Sequence, residues 1–506
     1  MMQTLNEIIP YHTQATPDAL CAKCDNTKVS YQEINNCIDK FAETLAHKGV
    51  QKGDKVALLL HNSVEYIIAF FAIQKLGAVT TLINTYLTTH EIVYILKDCE
   101  AKMVISSDEF NDKLQHISDD IAHLDIVKLN QDIFKYKNTP TKTKNVNIDK
   151  SDLAVIIYTS GTSGNPRGVM LSHNNLMSDI RSAIKTFTMT TEDRFLCLLP
   201  MFHAYTINVC VLLPLVVGAK IFIIPKITQF DKVIKALMFD RITLFVAVPT
   251  IYNILAEKNI PATAMKLLAL RICVSGGAAL PQSVFDKFTN KYKLKLIEGY
   301  GLSEAAPYVA FNPVDGPKKI NSVGVAMPDI TIKIVDDNGN EVAPYERGEI
   351  IVQGENIMMG YYNRPEDTAN TIKDGWLYTG DIAYKDDEGY IFIVDRKKDI
   401  IIINGMNVYP REIEEMLYKH QDVLDAAVIG LPDDFHGELP HAYIVCKEGI
   451  RGDEKKIRAY LKENIASFKI PKEIVFMKDL PRTATGKVMK RLLKEQILKE
   501  KELQTV

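Results

Sequence analysis

A run of glycines and hydroxylated residues follows an apolar segment and has the composition of a phosphate-binding loop. Glycines allow the backbone to approach a phosphate closely, while hydroxyls and successive N–H groups donate hydrogen bonds to its oxygens. Directly after the apolar run 152–158 come Thr159, Ser160, Gly161, Thr162, Ser163 and Gly164. Arg167 adds a fixed positive charge, but no Gly-Lys-Ser/Thr closes the loop as it does in P-loop NTPases. The sequence therefore predicts a phosphate cradle of a different kind.

Seven further motifs follow this loop along the chain. They are Leu-Pro-Met-Phe-His at 199–203, Ser-Gly-Gly-Ala at 275–278, Glu-Gly-Tyr-Gly-Leu-Ser-Glu at 298–304, Trp-Leu-Tyr-Thr-Gly-Asp at 376–381, Asp-Arg-Lys-Lys-Asp at 395–399, Asn-Gly-Met-Asn-Val-Tyr-Pro at 404–410 and Pro-Arg-Thr-Ala-Thr-Gly-Lys at 481–487. In order and spacing, these motifs resemble the signatures of the adenylate-forming (AMP-binding) superfamily of acyl-CoA and aryl-CoA ligases, peptide-synthetase adenylation domains and luciferases. The resemblance spans residues 10–495 and is strongest to fatty acyl-CoA ligases. It implies an enzyme, an acid–thiol ligase that forms AMP.

The resemblance implies two half-reactions and gives most of these motifs a role. A carboxylic acid and MgATP first form an acyl-adenylate and pyrophosphate, and a thiol then displaces AMP. Because the carboxylate and the phosphate are both anions and repel each other, positive charge must stabilise their approach. Lys487 is the expected catalytic cation, Glu304 the expected Mg²⁺ ligand, and His203 a wall between the nucleotide and acyl sites. The implied nucleotide-binding residues are Thr159, Ser160, Gly161, Thr162, Ser163, Gly164, Arg167, Gly276, Gly277, Ala278, Glu298, Gly299, Tyr300, Gly301, Ser303, Asp381 and Arg396.

The second half-reaction requires Lys487 to leave the space that the thiol needs. Members of the superfamily rotate the C-terminal domain on a hinge, and the resemblance places that hinge at Lys398. After rotation, Gly405, Met406 and Asn407 would line the tunnel for coenzyme A. The implied cofactors and co-substrates are therefore ATP, Mg²⁺ and coenzyme A, with an acyl carrier protein as the alternative thiol.

Residues 201–213, which begin within the Leu-Pro-Met-Phe-His motif, bear on which acid is activated. Peptide-synthetase domains anchor the substrate ammonium with an Asp in this region, whereas residues 201–213 contain no Asp or Glu. Burying an ammonium without a counter-charge is costly, which disfavours an α-amino acid. The expected acyl pocket comprises His203, Val209, Phe245 and Val248, and the expected substrate is a medium-chain or long-chain fatty acid. An aryl-acid CoA ligase and a carrier-protein loader are alternatives.

The elements that position these motifs alternate between apolar strands and helical segments in the first half of the chain. Strands are predicted at 55–60, 78–83, 101–106, 152–158, 219–224, 244–248 and 270–275, with a helix at 63–76. This alternation predicts mainly parallel sheets with helices on their faces. Segments 330–353 and 377–394 have the turns and alternation of antiparallel β-structure. Beyond residue 399, helices are predicted from Pro410, at 453–465 and from Gly486.

The predicted fold class is α/β. A large N-terminal domain, residues 1–396, would contain two parallel-sheet αβ subdomains and a β-barrel-like subdomain. A small, mobile α+β C-terminal domain, residues 397–506, would carry the catalytic lysine. Residues 451–506 contain 15 Lys or Arg and 8 Asp or Glu, so this tail is cationic and suited to attract a polyanionic substrate.

The composition excludes several classes of protein. The 506 residues are 47% hydrophobic with a formal net charge of −3, which argues against a nucleic-acid binder and against a disordered chain. No apolar run reaches the roughly 20 residues of an integral membrane segment, and the N-terminus lacks a secretory signal. Only Cys21 and Cys24 form a CxxC, so reduced thiols and a cytoplasmic location are expected. The oligomeric state is left open, a homodimer included.

Overall fold

Two mainly parallel sheets form much of the N-terminal part of the protein, and their strands are the apolar runs that the sequence predicts. The computed structural model describes residues 2–121, 123–141, 146–159, 166–258, 265, 267–319, 321–433, 435–483 and 486–504, with side chains as far as residue 500. The first sheet has parallel strands Leu153–Thr159, Val79–Leu82, Lys55–Leu59, Met103–Ser106 and Asp125–Lys128, with Arg167–Ser172 and Gly360–Tyr361 antiparallel at one edge. The second has parallel strands Leu296–Gly301, Ile272–Ser275, Leu244–Ala247, Arg194–Cys197, Lys220–Ile223 and Leu20–Cys24, with Thr27–Ser30, Tyr308–Phe311 and Val325–Ala326 antiparallel at the edges.

Helices pack with these sheets and leave the parallel strands buried. They are Ile8–Ala15, Tyr31–His47, Val64–Lys75, Thr89–Asp98, Asn111–Asp120, His173–Phe187, Ala204–Thr206, Leu213–Val217, Phe230–Phe239, Pro249–Glu257, Gln282–Tyr292 and Pro365–Thr371. Val64–Lys75 is apolar on nearly every face and is correspondingly buried in the core. It begins after Ser63, whose hydroxyl accepts the N–H of Tyr66, and ends before Gly77, which has a φ of +66°.

A five-stranded antiparallel sheet follows where the barrel-like subdomain is expected. Its strands are Ile330–Val335, Gly348–Gly354, Ile372–Lys373, Trp376–Lys385 and Ile391–Arg396. The last two strands pair so that Asp381 lies opposite Arg396. Two motifs that are separated in sequence therefore become neighbours through the register of one strand pair.

The residues from Ile401 onward form a smaller sheet with its own apolar core. Its strands are Ile401–Ile403, Met406–Val408, Val423–Asp433, Gly437–Cys446 and Glu473–Phe476, and its helices are Pro410–Lys419, Glu454–Asn464 and Lys490–Gln504. The Asp395 carboxylate accepts the N–H of Arg411, 2.8 Å away, and so caps the start of Pro410–Lys419. The predicted α/β class, with a large N-terminal and a small C-terminal part, is confirmed. The boundary at 396/397 and the mobility remain predictions.

The predicted start of the last helix is wrong by four residues. The helix begins at Lys490 because residues 481–483 pair with residues 486–489 instead. The N–H of Thr483 donates to the carbonyl of Lys487, 2.8 Å away, and Arg482 forms a bridge with Val488. The turn, not a helix, therefore carries Lys487.

The positive charge of the C-terminal tail is largely paired within the same domain. Six of its cations form ion pairs with carboxylates of residues 412–438: Lys456–Asp422, Lys469–Glu412, Lys472–Asp433, Arg482–Asp425, Lys490–Glu414 and Lys494–Glu438. Lys487 has no ion pair with a described carboxylate. Its charge therefore stands apart from the charges of the surrounding helices.

The described part of the chain contains neither a candidate membrane-spanning helix nor a disulfide. None of its helices combines the length and apolar content that a membrane crossing requires. The eight cysteines are all free thiols, and six of them are buried.

Candidate active site

One side of the cleft between the two parts is a connected set of polar side chains around Asp381. The Tyr300 hydroxyl donates to Asp381 Oδ2 over 2.6 Å, and Arg396 Nε lies 2.9 Å from Asp381 Oδ1. The Thr379 hydroxyl also accepts the N–H of Asp381. Burial and the Asp381 charge raise the pKa of Tyr300, and the same carboxylate raises that of Arg396. Asp381 is thus held as a buried anion with fixed partners.

The Lys487 turn enters this cleft from the C-terminal part. Gly486 has a φ of +85°, and a Cβ built on it would lie 3.8 Å from both Thr250 Oγ1 and Val248 Cγ2. A Cβ on Gly277 would lie 3.7 Å from the other methyl of Val248. The turn therefore packs against the N-terminal part at the same valine that borders the Ser-Gly-Gly-Ala motif.

The Lys487 ammonium is surrounded by charge of both signs. The residue is accessible to solvent, yet the surrounding protein partly encloses and desolvates its ammonium. This enclosure, followed by the positive charge of Arg396, lowers the pKa of Lys487 to about 8, while Asp381 and Asp399 oppose the shift. Lys487 is thus cationic at neutral pH and within electrostatic reach of the Asp381–Arg396 pair.

His203 lies within electrostatic reach of Lys487. Burial, together with the Lys487 charge, lowers the pKa of His203 to about 4, so the imidazole is neutral at pH 7. Its Nδ1 accepts the N–H of Tyr205 at the start of Ala204–Thr206. A neutral ring anchored in this way fits a wall between two sites better than a proton donor.

Glu304 and Arg167 meet at a residue that the motifs do not include. The Tyr361 hydroxyl donates to Glu304 Oε1 over 2.9 Å, and the Arg167 guanidinium lies 4.3 Å from the centroid of the Tyr361 ring. Arg167 Nε is buried and has no hydrogen-bond partner among the described residues. Asp367 approaches Arg167 Nη1 only to 3.8 Å. The cation following the glycine loop and the expected metal ligand therefore share one aromatic side chain.

Mg²⁺ fits the donor set around Glu304. No cluster of three or more His, Cys, Asp or Glu that could hold a metal occurs in the described chain. Mg²⁺ is usually bound through one or two carboxylates together with substrate phosphates. Glu304 is half-buried and forms no ion pair with a described residue, so its charge is available to a cation that arrives with ATP.

The glycines of the motifs allow close packing near the cleft. A Cβ on Gly276 would lie 2.9 Å from the Tyr205 hydroxyl, and one on Gly299 would overlap the ring of Phe311. A Cβ on Gly301 would overlap the carbonyl of Pro307. These backbones approach side chains and carbonyls that any larger residue would displace.

Glu298 begins the motif that also contains Tyr300 and Glu304. It is buried, and its carboxylate accepts the N–H of Leu280 over 2.9 Å. Burial raises its pKa to about 7, although Arg411 opposes the shift. Ala278 lies two residues before Leu280, and Ser303 opens the short helical turn that carries Glu304.

The expected acyl side consists of buried groups. Val209 lies in the π-helical turn Ile207–Leu212, Val248 borders the Lys487 turn, and Phe245 is fully buried against the ring of Tyr252. The environment of Phe245 is that of a core residue. The pocket assignment of all three remains a prediction.

A buried carboxyl lies beside the π-helical turn, although residues 201–213 contain none. Asp179 Oδ2 accepts from Asn208 Nδ2 over 2.7 Å and from the N–H of Tyr308. Burial raises the pKa of Asp179 well above its usual range. Asp179 is thus a carboxyl in contact with residues 201–213 that the sequence of this stretch does not reveal, and the exclusion of an α-amino acid remains a prediction.

The other predicted residues differ in how much of their surroundings the structure describes. Ser160, Gly161, Thr162, Ser163 and Gly164 lie outside the described residues, whereas Thr159 pairs with Arg167 across two strands. Lys398 is exposed in the short helical turn Lys397–Asp399.

The predicted coenzyme A residues lie at the turn of a hairpin. Gly405 has a φ of +80°, and a Cβ on it would meet no atom within 4 Å. Met406 and Asn407 begin the second strand and are exposed. This hairpin turn is therefore open to solvent and carries none of the contacts that hold the Lys487 turn.

Comparison with known proteins agrees with this arrangement. A family model described as AMP-binding enzyme matches residues 10–362, and one described as AMP-binding enzyme C-terminal domain matches residues 412–487. The chain is 34% identical to the long-chain-fatty-acid–CoA ligase of Bacillus subtilis (strain 168), over 98% of this chain and 94% of that protein. It is 30% identical to the 2-succinylbenzoate–CoA ligase of Bacillus cereus (strain AH820), over 98% of this chain and 99% of that protein.

The solved structures of one protein add a comparison of two states. ATP-bound MatB from Rhodopseudomonas palustris matches with a TM-score of 0.91 at 30% identity, covering 98% of this chain and 99% of that one. The apo form of MatB matches with a TM-score of 0.78 at the same identity and coverage. The arrangement of this chain is thus closer to the ATP-bound form. With both family models matched along its length, the chain belongs to the AMP-binding enzyme family.

Proposed function

We propose that the protein is an AMP-forming acid–CoA ligase that activates a medium-chain or long-chain fatty acid. In the first step a carboxylate oxygen of the acid attacks the α-phosphorus of ATP, and pyrophosphate leaves. In the second step the sulfur of coenzyme A attacks the acyl carbon, AMP leaves, and the thiol proton is released. The observation that carries this proposal is the Lys487 turn, which packs against Val248 and brings its ammonium within electrostatic reach of both His203 and the Asp381–Arg396 pair.

The first step needs positive charge where two anions meet. Lys487 is protonated at neutral pH and has no ion pair with a described carboxylate, so its charge is free to bridge the carboxylate and the α-phosphate. Arg396 and Arg167 add fixed charge on either side. Bound MgATP would place its metal at Glu304, where it would offset phosphate charge. The side chains hold these charges in place before the substrates arrive.

The ribose would bind at Asp381. A carboxylate has about four acceptor positions, and Tyr300 and Arg396 occupy one on each oxygen. The remaining positions suit the two neighbouring hydroxyls of a ribose. Because both partners fix the carboxylate plane, ordering it costs little when the nucleotide binds.

The second step requires the Lys487 turn to withdraw. The turn packs against Thr250 and Val248 in the structure, whereas the Gly405 hairpin turn is open to solvent. Rotation about Lys398 would move the Lys487 turn out of the cleft and bring the hairpin turn into it. Gly405, Met406 and Asn407 would then line a tunnel for coenzyme A. Lys398→Pro, which stiffens this position, should slow thioester formation more than adenylate formation. An unimpaired second step would count against rotation.

A fatty acid is supported by sequence similarity and by the apolar character of the acyl side. The relative at 34% identity is a long-chain-fatty-acid–CoA ligase. Val209 and Val248 are buried and apolar. Each buried CH₂ contributes about 0.8 kcal/mol, so an apolar pocket can distinguish chain lengths by depth. An aryl acid is the second candidate, because a relative at 30% identity acts on 2-succinylbenzoate.

The decisive experiment is a panel of carboxylic acids. Pyrophosphate release would be measured with acids from acetate to octadecanoate and with substituted benzoates, each with coenzyme A or with a phosphopantetheinylated carrier protein. We expect the highest kcat/KM for a medium-chain or long-chain acid with coenzyme A. Preferential turnover of an aromatic acid would reject the fatty acid, and preferential transfer to the carrier would reject coenzyme A.

A further inference from the structure

We propose that Tyr361 is a positioning residue for MgATP, which holds the Glu304 carboxylate and the Arg167 guanidinium in place from opposite parts of one side chain. The inference rests on the proposed function, which supplies MgATP as the substrate. Tyr361 belongs to none of the eight motifs and lies far from both partners in sequence. It acts through Glu304 and Arg167 and need not touch ATP itself.

The geometry gives each partner its own part of Tyr361. The hydroxyl donates to Glu304 Oε1 over 2.9 Å, while the ring faces the Arg167 guanidinium at 4.3 Å. A hydrogen bond to an ionised oxygen fixes the carboxylate, and the ring's negative face attracts the cation. Carboxylate and guanidinium are therefore both oriented by a neutral group.

Tyr361 is neutral, and this distinguishes its contacts with Glu304 and Arg167 from a direct ion pair between those two residues. If Glu304 and Arg167 paired with each other, each would cancel the charge that MgATP requires of the other. The phenol satisfies one oxygen of Glu304 and leaves its charge intact. Burial raises the pKa of Tyr361, so the hydroxyl stays protonated and remains a donor throughout the physiological range.

The backbone of Tyr361 is held on both sides. Gly360 and Tyr361 pair with Met170 and Val169, in the strand that begins at Arg167. The N–H of Tyr361 donates to the Thr368 hydroxyl over 2.9 Å. The residue is 3% exposed, so its ring has little freedom to turn away. This fixed ring makes Tyr361 a rigid support for two charged side chains.

The test is a binding measurement on the full-length protein. Calorimetric titration with ATP in excess Mg²⁺, and with ATP in EDTA, would compare wild type with Tyr361→Phe and Tyr361→Leu. Tyr361→Phe keeps the ring and should weaken binding about tenfold in Mg²⁺ but by less than twofold in EDTA. Tyr361→Leu also removes the ring from Arg167 and should weaken binding about fivefold even in EDTA.

Tyr362→Phe is the matched control. Its hydroxyl donates to the exposed Glu100 on the protein surface, so both titrations should equal those of wild type. In a Glu304→Gln background, Tyr361→Phe should cause no further loss in Mg²⁺, because the two residues act as a unit. This double variant also separates a positioning role from a general loss of folding.

Two kinetic readouts complete the test. Tyr361→Phe should raise the Mg²⁺ concentration for half-maximal pyrophosphate release and leave thioester formation from preformed acyl-AMP unchanged. Equal loss in Mg²⁺ and EDTA, or no change in either, would overturn the inference. Wild type that binds MgATP but turns over no acid would reject the proposed function alone, since the titrations still decide the role of Tyr361.

Discussion

The Asp381 network on the proposed nucleotide side and the surroundings of Tyr205 on the proposed acyl side differ in how fully their buried polar atoms are paired. On the nucleotide side, Tyr300 and Arg396 each occupy one oxygen of Asp381. On the proposed acyl side, the buried hydroxyls of Tyr205 and Thr206 have no hydrogen-bond partner among the described residues. One side is a closed network, and the other contains buried hydroxyls that nothing in the described chain satisfies.

This difference indicates two modes of recognition. A fully paired network holds its charges in place before substrate binds and needs no reorganisation during the reaction. An unpaired buried hydroxyl costs free energy and directs no charge. We therefore expect the nucleotide side to act through electrostatics and the acyl side to act through shape. The following predictions, from the largest effect to the smallest, test this contrast.

Lys487→Ala should reduce adenylate formation by about 10³-fold, because it removes the cation that stabilises the α-phosphate. Thioester formation from preformed acyl-AMP should be nearly unchanged. Pyrophosphate release and single-turnover thioester assays would measure the two steps separately. Lys494→Ala, which removes a partly exposed lysine paired with Glu438, should affect neither step. Equal loss of both steps would contradict the division of labour.

Asp381→Asn should reduce kcat/KM for ATP by about 100-fold. The change leaves the Arg396 guanidinium without its charged partner and weakens an acceptor for the ribose. The measurement is adenylate formation at varied ATP and saturating acid. Asp337→Asn is the control, since Asp337 is exposed and pairs with Lys397 on the surface. An effect as small as that of the control would show that the network is not electrostatically important.

The pH dependence of adenylation should report Lys487. Its pKa of about 8 means that kcat/KM for ATP is full near neutral pH and falls about tenfold per pH unit above 8. The sign follows from the requirement for the protonated form, which is lost as the pH rises. Lys487→Arg, always charged, should lack this descending limb. A limb that persists in the variant would assign the titration to another group.

A matched pair of hydroxyl deletions gives the finest test. Tyr300→Phe removes a hydrogen bond to an ionised carboxylate and should lower kcat/KM for ATP about tenfold. Tyr205→Phe removes a hydroxyl without a described partner and should change kcat/KM for every acid by less than twofold, with equal or greater thermal stability. A large loss with one acid in Tyr205→Phe would instead show that this hydroxyl binds that acid.

Much of the fold was predictable because its signals are local. Buried parallel strands read as short apolar runs, and the helix Val64–Lys75 is framed by Ser63 and Gly77. The composition predicts too early a start for the last helix, because the Lys-rich residues that follow Gly486 are typical of a helix both before and after Lys490. Residues 481–483 and 486–489 are instead joined to each other by backbone hydrogen bonds, and such a turn has no periodic pattern.

Candidate site residues can be predicted from the sequence where one motif carries several reactive groups together. Asp381 and Arg396 were identified in separate motifs, but their contact depends on strand register. Tyr361 could not be identified, because a single tyrosine in a two-residue strand has no spacing signal. Asp179 was missed for the same reason, as it lies on a helix far from the stretch that it contacts.

The sequence by itself determined the chemical groups, their order and the α/β class, because composition and periodicity are properties of neighbouring residues. Only the tertiary structure decided which charges remain available. The C-terminal tail is cationic in sequence, yet six of its cations are paired within the domain, while Lys487 stands in the cleft without a described partner. Electrostatic energy depends on distance and burial, and both are set by contacts between residues far apart in the chain.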